Sequence, residues 1–327
     1  SDSPWDQRAE TSIASTSQLF DPRENRWSWE LIDALKLPRA IFPEIVKPGT
    51  QIGTLLPEFA ESTGVGPISV IAPASHDTGS AVAAVPAGGD DRWAYISSGT
   101  WSLLGRELRA PLCTDQALAA NFTNEAGVEG TIRFHKNIAG LWILQECRRV
   151  WQAQGHRASF EELTEASKSA EPFRSLINPD APQFAEFGDM PERINAFCAS
   201  TGQPVPRTIA DTVRCVHESL ALKYRATLKT LVELTGEVNR IHVVGGGVQN
   251  ELLCQYTADA TNLPVIAGPV EATAAGNVLT QALAQGKLIS LANMRQVVTK
   301  SNVLQFYDPI DHAAWNIAYA RFQAICR

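Results

Sequence analysis

The stretch P-I-S-V-I-A-P-A-S-H-D-T-G-S-A-V-A-A-V, residues 67–85, followed by W-A-Y-I-S-S-G-T-W-S-L-L-G, residues 93–105, decides how this chain is read. The apolar run Ile68–Ile71 predicts a strand. It delivers His76 and Asp77 to the start of an alanine-rich segment that predicts a helix. A second strand follows and breaks at Ser97-Ser98-Gly99-Thr100. An acid at a strand-to-helix junction and a turn of small residues after a strand are both places where chemistry sits.

Each feature alone has an ordinary explanation. A lone Asp at a helix start caps it, for about 1 kcal/mol. Asp77-Thr78-Gly79-Ser80 also has the local form of an aspartic-protease motif, but such enzymes need two aspartates sharing a proton. The chain has no second D-T-G or D-S-G, and a helical segment follows the motif where a strand would be needed. Ser97–Thr100 suits a phosphate through its backbone N–H groups and hydroxyls, or is simply an edge hairpin.

Outward from this stretch, strands are predicted at 93–97, 101–107 and 130–134, then helix from about Ala139 to Gln154. A short helix is expected near 191–199. A long amphipathic one is expected over about 208–234, with Gly236 as its stop. Ile241–Val244 predicts a strand, Gly245-Gly246-Gly247 a turn and 251–260 a helix. A strand at 264–267 and a helix at 271–285 follow. This order predicts a mixed α/β sheet flanked by helices, in the ribonuclease-H-like or actin-like manner. Residues 1–66 show a short helical pattern at 27–35 and proline-rich connections. They assemble into no sheet and are expected to bury no core of their own.

The triple glycine lets backbone approach a ligand closely. It is not a dinucleotide fingerprint, because Asn250 stands where the last glycine would be, and no P-loop occurs. The 327 residues are 44% hydrophobic and 19% charged, with net charge −7, an ordinary globular composition. No basic cluster points to nucleic acid, and no apolar run reaches the roughly 18 residues of a membrane span. The six cysteines, with no C-x-x-C pair, read as reduced thiols of a cytoplasmic protein, although Cys198 and Cys215 flank one loop and could approach. His135, His156, His217, His242 and His312 form no metal-binding pattern, and no metal-ligating residues are assigned.

Six segments in order resemble the FGGY carbohydrate kinases, and within them the L-rhamnulose kinase branch. They are A-S-H-D-T-G-S-A (74–81), Y-I-S-S-G-T-W-S-L-L-G (95–105), A-L-A-A-N-F-T-N-E-A-G (117–127), K-N-I-A-G-L-W-I-L-Q-E (136–146), V-V-G-G-G-V-Q-N (243–250) and A-G-P-V-E-A-T-A-A-G-N (267–277). The resemblance implies two ribonuclease-H-like domains facing a cleft, and phosphorylation of L-rhamnulose to its 1-phosphate with ATP and Mg²⁺. It implies Asp77 as the catalytic base, with His76, Thr78 and Asn137 at the sugar. Thr100, Gln145 and Gly246 match nucleotide contacts, with Gly245, Gly247 and Asn250 shaping that site. Asn137 and Gln145 are expected on one helix, two turns apart. The partners implied are a small sugar and ATP, not nucleic acid or a membrane.

The resemblance also sets an expectation about extent. The Gly-rich phosphate loop and the N-terminal sheet of the family are not found here. Residues 1–85 therefore read as the tail of the family's N-terminal domain, and 86–327 as its C-terminal domain. On this reading the N-terminal domain of the same protein is largely missing. The chain alone would then be an inactive nucleotide-binding module. L-fuculose, xylulose or glycerol are the related substrates to weigh against L-rhamnulose.

Overall fold

A computed structural model describes residues 7–326; the opening S-D-S-P-W lies outside them. In chain order, the strands that matter are β1 (Arg8–Glu10), β2 (Ser69–Ile71), β3 (Trp93–Ser98), β4 (Trp101–Leu108) and β5 (Thr123–Ala126). They continue with β6 (Ile132–Ala139), β7 (Arg240–Val244), β8 (Val265–Ala267) and β9 (Gln305–Tyr307). The helices are α1 (Asp77–Ala83), α2 (Trp142–Ala153), α3 (Ile209–Thr235), α4 (Glu251–Thr261), α5 (Ala272–Ala284) and α6 (Leu291–Ser301).

A seven-stranded sheet runs in the order β9-β8-β7-β3-β4-β6-β5. β3 pairs antiparallel with β4 and parallel with β7, and β7 pairs parallel with β8. The sheet is therefore the mixed kind expected from sequence. Its central strand β7 is buried from Ile241 to Val244, His242 included, because a strand with parallel neighbours and helix-covered faces has no wet side. The Ser97–Thr100 break is a hairpin as weighed, but β3 is a central strand and the turn is not at a sheet edge.

Packing divides the chain into two units that differ from a split near residue 85. The first holds the residues through Gly89, Arg106–His135 and Glu271–Val303; the second holds Asp90–Gly105, Lys136–Val270 and the chain from Leu304. Strands β4 and β6 each pass from one unit into the other, so the chain cannot be cut once.

In the first unit, the early segments form only two-stranded ladders, in line with the absence of a sheet from their sequence. They do bury a core, against expectation: Ala14, Phe20, Trp27 and Ile32 cluster, with Trp29, Phe42 and Ile45 packed around them. Trp27 meets Phe42 edge-on with ring centroids 5.2 Å apart and donates its indole N–H to the Pro43 carbonyl. Paired aromatics bury enough area to seat a short, proline-rich segment. A second cluster joins Ala74, Ala83, Val128, Leu291 and Met294 with Leu279 and Leu283 of α5.

The second unit is built on α3. A capping box of Thr208 and Asp211 starts this helix, and Gly236, at φ +89°, follows its last residue as the sequence predicts. Cys198 and Cys215 are buried free thiols in hydrogen-bond contact, and all six cysteines are free.

The small residues of α5 have a packing reason. A Cβ on Gly276 would collide with the backbone carbonyl of Ser80, so α5 and α1 lie with backbone almost on backbone. Gly276→Ala is expected to cost about 1–3 kcal/mol by overpacking, read as a lower urea midpoint with unchanged m-value. An unchanged midpoint would show that the helices separate freely.

Candidate functional site

In the first unit, β2 ends at Ile71 and the chain turns into α1 through Ala74-Ser75-His76. Glu10, at the end of β1, holds that corner. Its buried carboxylate accepts from the Ser75 N–H at 2.8 Å, the Ser12 N–H at 2.7 Å and the Ser12 hydroxyl at 2.5 Å. The Ser12 oxygen in turn accepts from the His76 N–H at 3.0 Å. A Cβ on Gly79 would sit 3.2 Å from that of Ser12, so the glycine of D-T-G-S lets α1 approach this support.

Asp77 is not the helix cap. His76 occupies the cap position, and the Asp77 carboxylate bonds its own neighbour, Oδ1 accepting from Thr78 N–H at 2.7 Å. The side chain is 77% exposed. Among the described residues no hydrogen bond reaches Oδ2. The Asp77 carbonyl accepts from the Thr273 hydroxyl of α5 at 3.3 Å.

Behind His76 lies a buried charged cluster that sequence reading did not assign. Glu125 on β5 and Arg133 on β6 are directly opposed cross-strand partners and form an ion pair at 2.9 Å. His135 Nε2 lies 3.4 Å from the other Glu125 oxygen. Burial works to raise the Glu125 pKa, but contacts with His135 and His76 and the charge of Arg133 outweigh it and hold the carboxyl well below the usual range. Burial also lowers the pKa of His135. The available signal was the charge in I-R-F-H, where alternation places both Arg133 and His135 inward on a strand.

In the second unit, the Ser98–Thr100 turn is built against α2. Leu141 N–H donates to the Gly99 carbonyl at 3.1 Å and Trp142 N–H to the Thr100 carbonyl at 2.9 Å. A Cβ on Gly140 would lie 2.7 Å from the Trp101 backbone, so only glycine admits this approach. The result sets Gln145 over the turn, its Nε2 donating to Thr100 Oγ1 at 3.3 Å. Asn137 does not share that helix. It is exposed on β6, which runs to Ala139, and α2 begins only at Trp142. The apolar run after Ala139 predicts helix from its start, whereas the strand runs to Ala139 and the helix begins at Trp142.

The three glycines divide by cause. Gly245 has φ +88°, and a Cβ there would lie 3.0 Å from the Ser98 carbonyl. A Cβ on Gly247 would strike the Ser98 side chain. Gly246 has nothing within 4 Å, so packing does not account for it, and its bare backbone faces open space. Asn250 caps α4, its Oδ1 accepting from Leu253 N–H at 3.0 Å, while its amide nitrogen meets His217 Nε2 at 2.9 Å. Among the described residues no group of three or more His, Cys, Asp or Glu is placed to hold a metal ion.

The family description "FGGY family of carbohydrate kinases, C-terminal domain" matches residues 94–285, and the N-terminal counterpart matches residues 6–84. The chain belongs to the FGGY family of carbohydrate kinases. It is 50% identical to a rhamnulokinase of Bacteroides thetaiotaomicron over 97% of this chain and 65% of that protein. Against a rhamnulokinase of Enterococcus faecalis the figures are 40%, 97% and 64%. Among solved structures it is similar to a xylulose kinase of Lactobacillus acidophilus, with TM-score 0.70 and 16% identity over 97% of this chain and 62% of that one. It is likewise similar to a Plasmodium falciparum glycerol kinase with ADP, with TM-score 0.69 and 15% identity over 96% of this chain and 63% of that one. These likenesses give the actin-like fold expected from sequence. The FGGY chain thus spans just under two thirds of the length of these relatives. The matches lend no support to the expectation of a missing N-terminal domain.

His217 gives the turn that ends at Asn250 a pH sensitivity. Burial in α3 pushes its pKa down to about 4, and only the neutral ring can accept from Asn250. The folded pKa lies below the unfolded one, so the stabilisation is complete above about pH 6.5 and is lost as pH falls toward 4, on the order of 3 kcal/mol. Glu218, raised to about 7 by burial against the opposing pull of Arg214, acts with the opposite sign: its contribution is lost as pH rises through 7. Denaturation of wild type and His217→Gln from pH 7 to 4 should show the variant losing less stability on acidification. Parallel curves would contradict the assignment.

Proposed function

We propose that this chain carries the catalytic base and nucleotide-facing turn of an ATP-dependent kinase that phosphorylates the terminal hydroxyl of L-rhamnulose, giving the 1-phosphate. The 50% identity to a rhamnulokinase supports the sugar. The observation that carries the chemistry is Asp77, an exposed carboxylate whose Oδ1 is engaged by its own helix and whose Oδ2 is left to accept a proton.

In the reaction, the sugar hydroxyl gives its proton to Asp77 as its oxygen bonds to the γ-phosphorus, and the bond from phosphorus to the bridging oxygen breaks, releasing ADP. Such transfers proceed mainly through positioning and charge stabilisation, with the base adding to them. Thr78 and Asn137 are assigned to the sugar. Thr100, Gln145 and Gly246 are assigned to the nucleotide, with Gly245, Gly247 and Asn250 holding the turn in shape. The described residues offer no cage for a resident metal, so Mg²⁺ would arrive held by nucleotide phosphates and water, and would neutralise charge there. No helix among the described residues is long and apolar enough to cross a membrane, and six free cysteines favour a reducing cytoplasm.

The test is ADP release by this chain with L-rhamnulose, L-fuculose, D-xylulose and glycerol. L-Rhamnulose should give the highest kcat/KM. Asp77→Asn should lower kcat by about 10²–10⁴-fold with ADP affinity intact. Near-normal turnover of that variant would remove Asp77 as the base. Nucleotide binding without transfer to any sugar would favour a non-catalytic module.

A further inference from the structure

Resting on the assignment of Thr100 and Gln145 to the nucleotide, we propose that Phe187 is the platform on which the base of that nucleotide stacks.

The Phe187 ring is 74% exposed, yet the segment that carries it is firmly held. The Arg193 guanidinium donates to three carbonyls of that segment: Gln183 at 3.0 Å, Glu186 at 2.5 Å and Phe187 itself at 2.9 Å. A Cβ on Gly188 would lie 2.6 Å from the same guanidinium, so glycine lets the chain close round it. The ring in turn meets the Trp142 ring edge-on, with centroids 4.8 Å apart. An edge-on contact covers at most one face of a phenyl ring, and the other face is left open. An apolar ring that is exposed and already ordered has no gain from folding to explain it, and is suited to receive a flat ligand at little entropic cost.

The place of the ring identifies that ligand. Trp142, Gln145 and Arg149 stand at i, i+3 and i+7, so they line one face of α2 while Ile143, Leu144 and Cys147 pack inward. The 184–188 segment lies along this outer face. The Phe184 carbonyl accepts from the Trp142 indole N–H at 3.0 Å, and the Gly188 carbonyl accepts from Arg149 at 2.9 Å. Arg149 is anchored by the buried Glu146 at 3.0 Å. Phe187 and Gly188 therefore contact the neighbours of Gln145 on either side, and the ring stands beside the amide that bonds Thr100 Oγ1. The Thr100 turn suits phosphates, and a base has a π-face that stacks on an aromatic ring whatever its hydrogen-bonding edge.

The experiment measures binding of ADP and of inorganic pyrophosphate to the full chain by titration calorimetry. Phe187→Ala should weaken ADP about tenfold and leave pyrophosphate unchanged, and Phe187→Trp should restore ADP. The side chain is mostly in water, so the urea midpoint of the alanine variant should not move. Equal ADP affinity in wild type and Phe187→Ala would overturn the inference. Equal losses of ADP and pyrophosphate, or a tryptophan that fails to restore ADP, would overturn it as well. Those results leave the kinase reading standing. ADP binding with the expected Phe187 dependence but no transfer to any sugar would remove the kinase reading and keep the platform, and a wild-type chain that binds no ADP would remove both.

Discussion

A buried carboxylate near the start of the described chain holds the corner from which the proposed chemistry follows. Glu10 accepts backbone and hydroxyl donors from Ser12 and the N–H of Ser75, tying residues sixty-five positions apart. A carboxylate out of water is tolerable only when its lone pairs are met, and here donors from Thr11, Ser12 and Ser75 meet them. The geometry that makes Glu10 tolerable also fixes the backbone that presents His76 and Asp77. Glu125, opposite Arg133, does for the His76 ring what Glu10 does for its backbone. Two buried acids therefore support one exposed acid, which fits a site whose reacting group must be rigid yet reachable.

The second unit solves a related problem without charge. Its turn is shaped by missing side chains: Gly140 lets α2 close on the hairpin, and Gly245 and Gly247 make room for Ser98. The carbonyls of Gly99 and Thr100 are used by the first turn of α2. What remains open is Gly246, Thr100 and the amide of Gln145. The remainder is polar and small, the character a phosphate-bearing ligand requires.

Much of this was legible in the sequence. The strands at 93–108 and 240–267 and the helices that follow announce themselves by apolar runs closed by glycine, and Gly236 ends α3 where it should. Asp77, Thr100, Gln145 and Gly246 stood out from junctions and from resemblance. What escaped depended on contacts distant in sequence. Trp27 and Phe42 make a small core that periodicity over so short a segment does not reveal. Asn137 is expected on a helix because the apolar run after Ala139 reads as helix from its start; β6 instead runs on to Ala139, with Arg133 and His135 buried on it. Those residues are polar, and only the sight of Glu125 on the neighbouring strand explains why a strand carries them inside. Glu10 had no local signal at all, since its partner lies at Ser75.

The central claim is that Asp77 takes the proton on Oδ2 while Oδ1 is held by its surroundings. A crystal structure of the chain with L-rhamnulose and a non-hydrolysable ATP analogue tests it most directly. The account predicts the terminal hydroxyl oxygen within about 2.6–3.2 Å of Oδ2, with Oδ1 still accepting from Thr78 N–H. A sugar whose terminal hydroxyl meets Oδ1, or lies out of reach of Asp77 altogether, would contradict it.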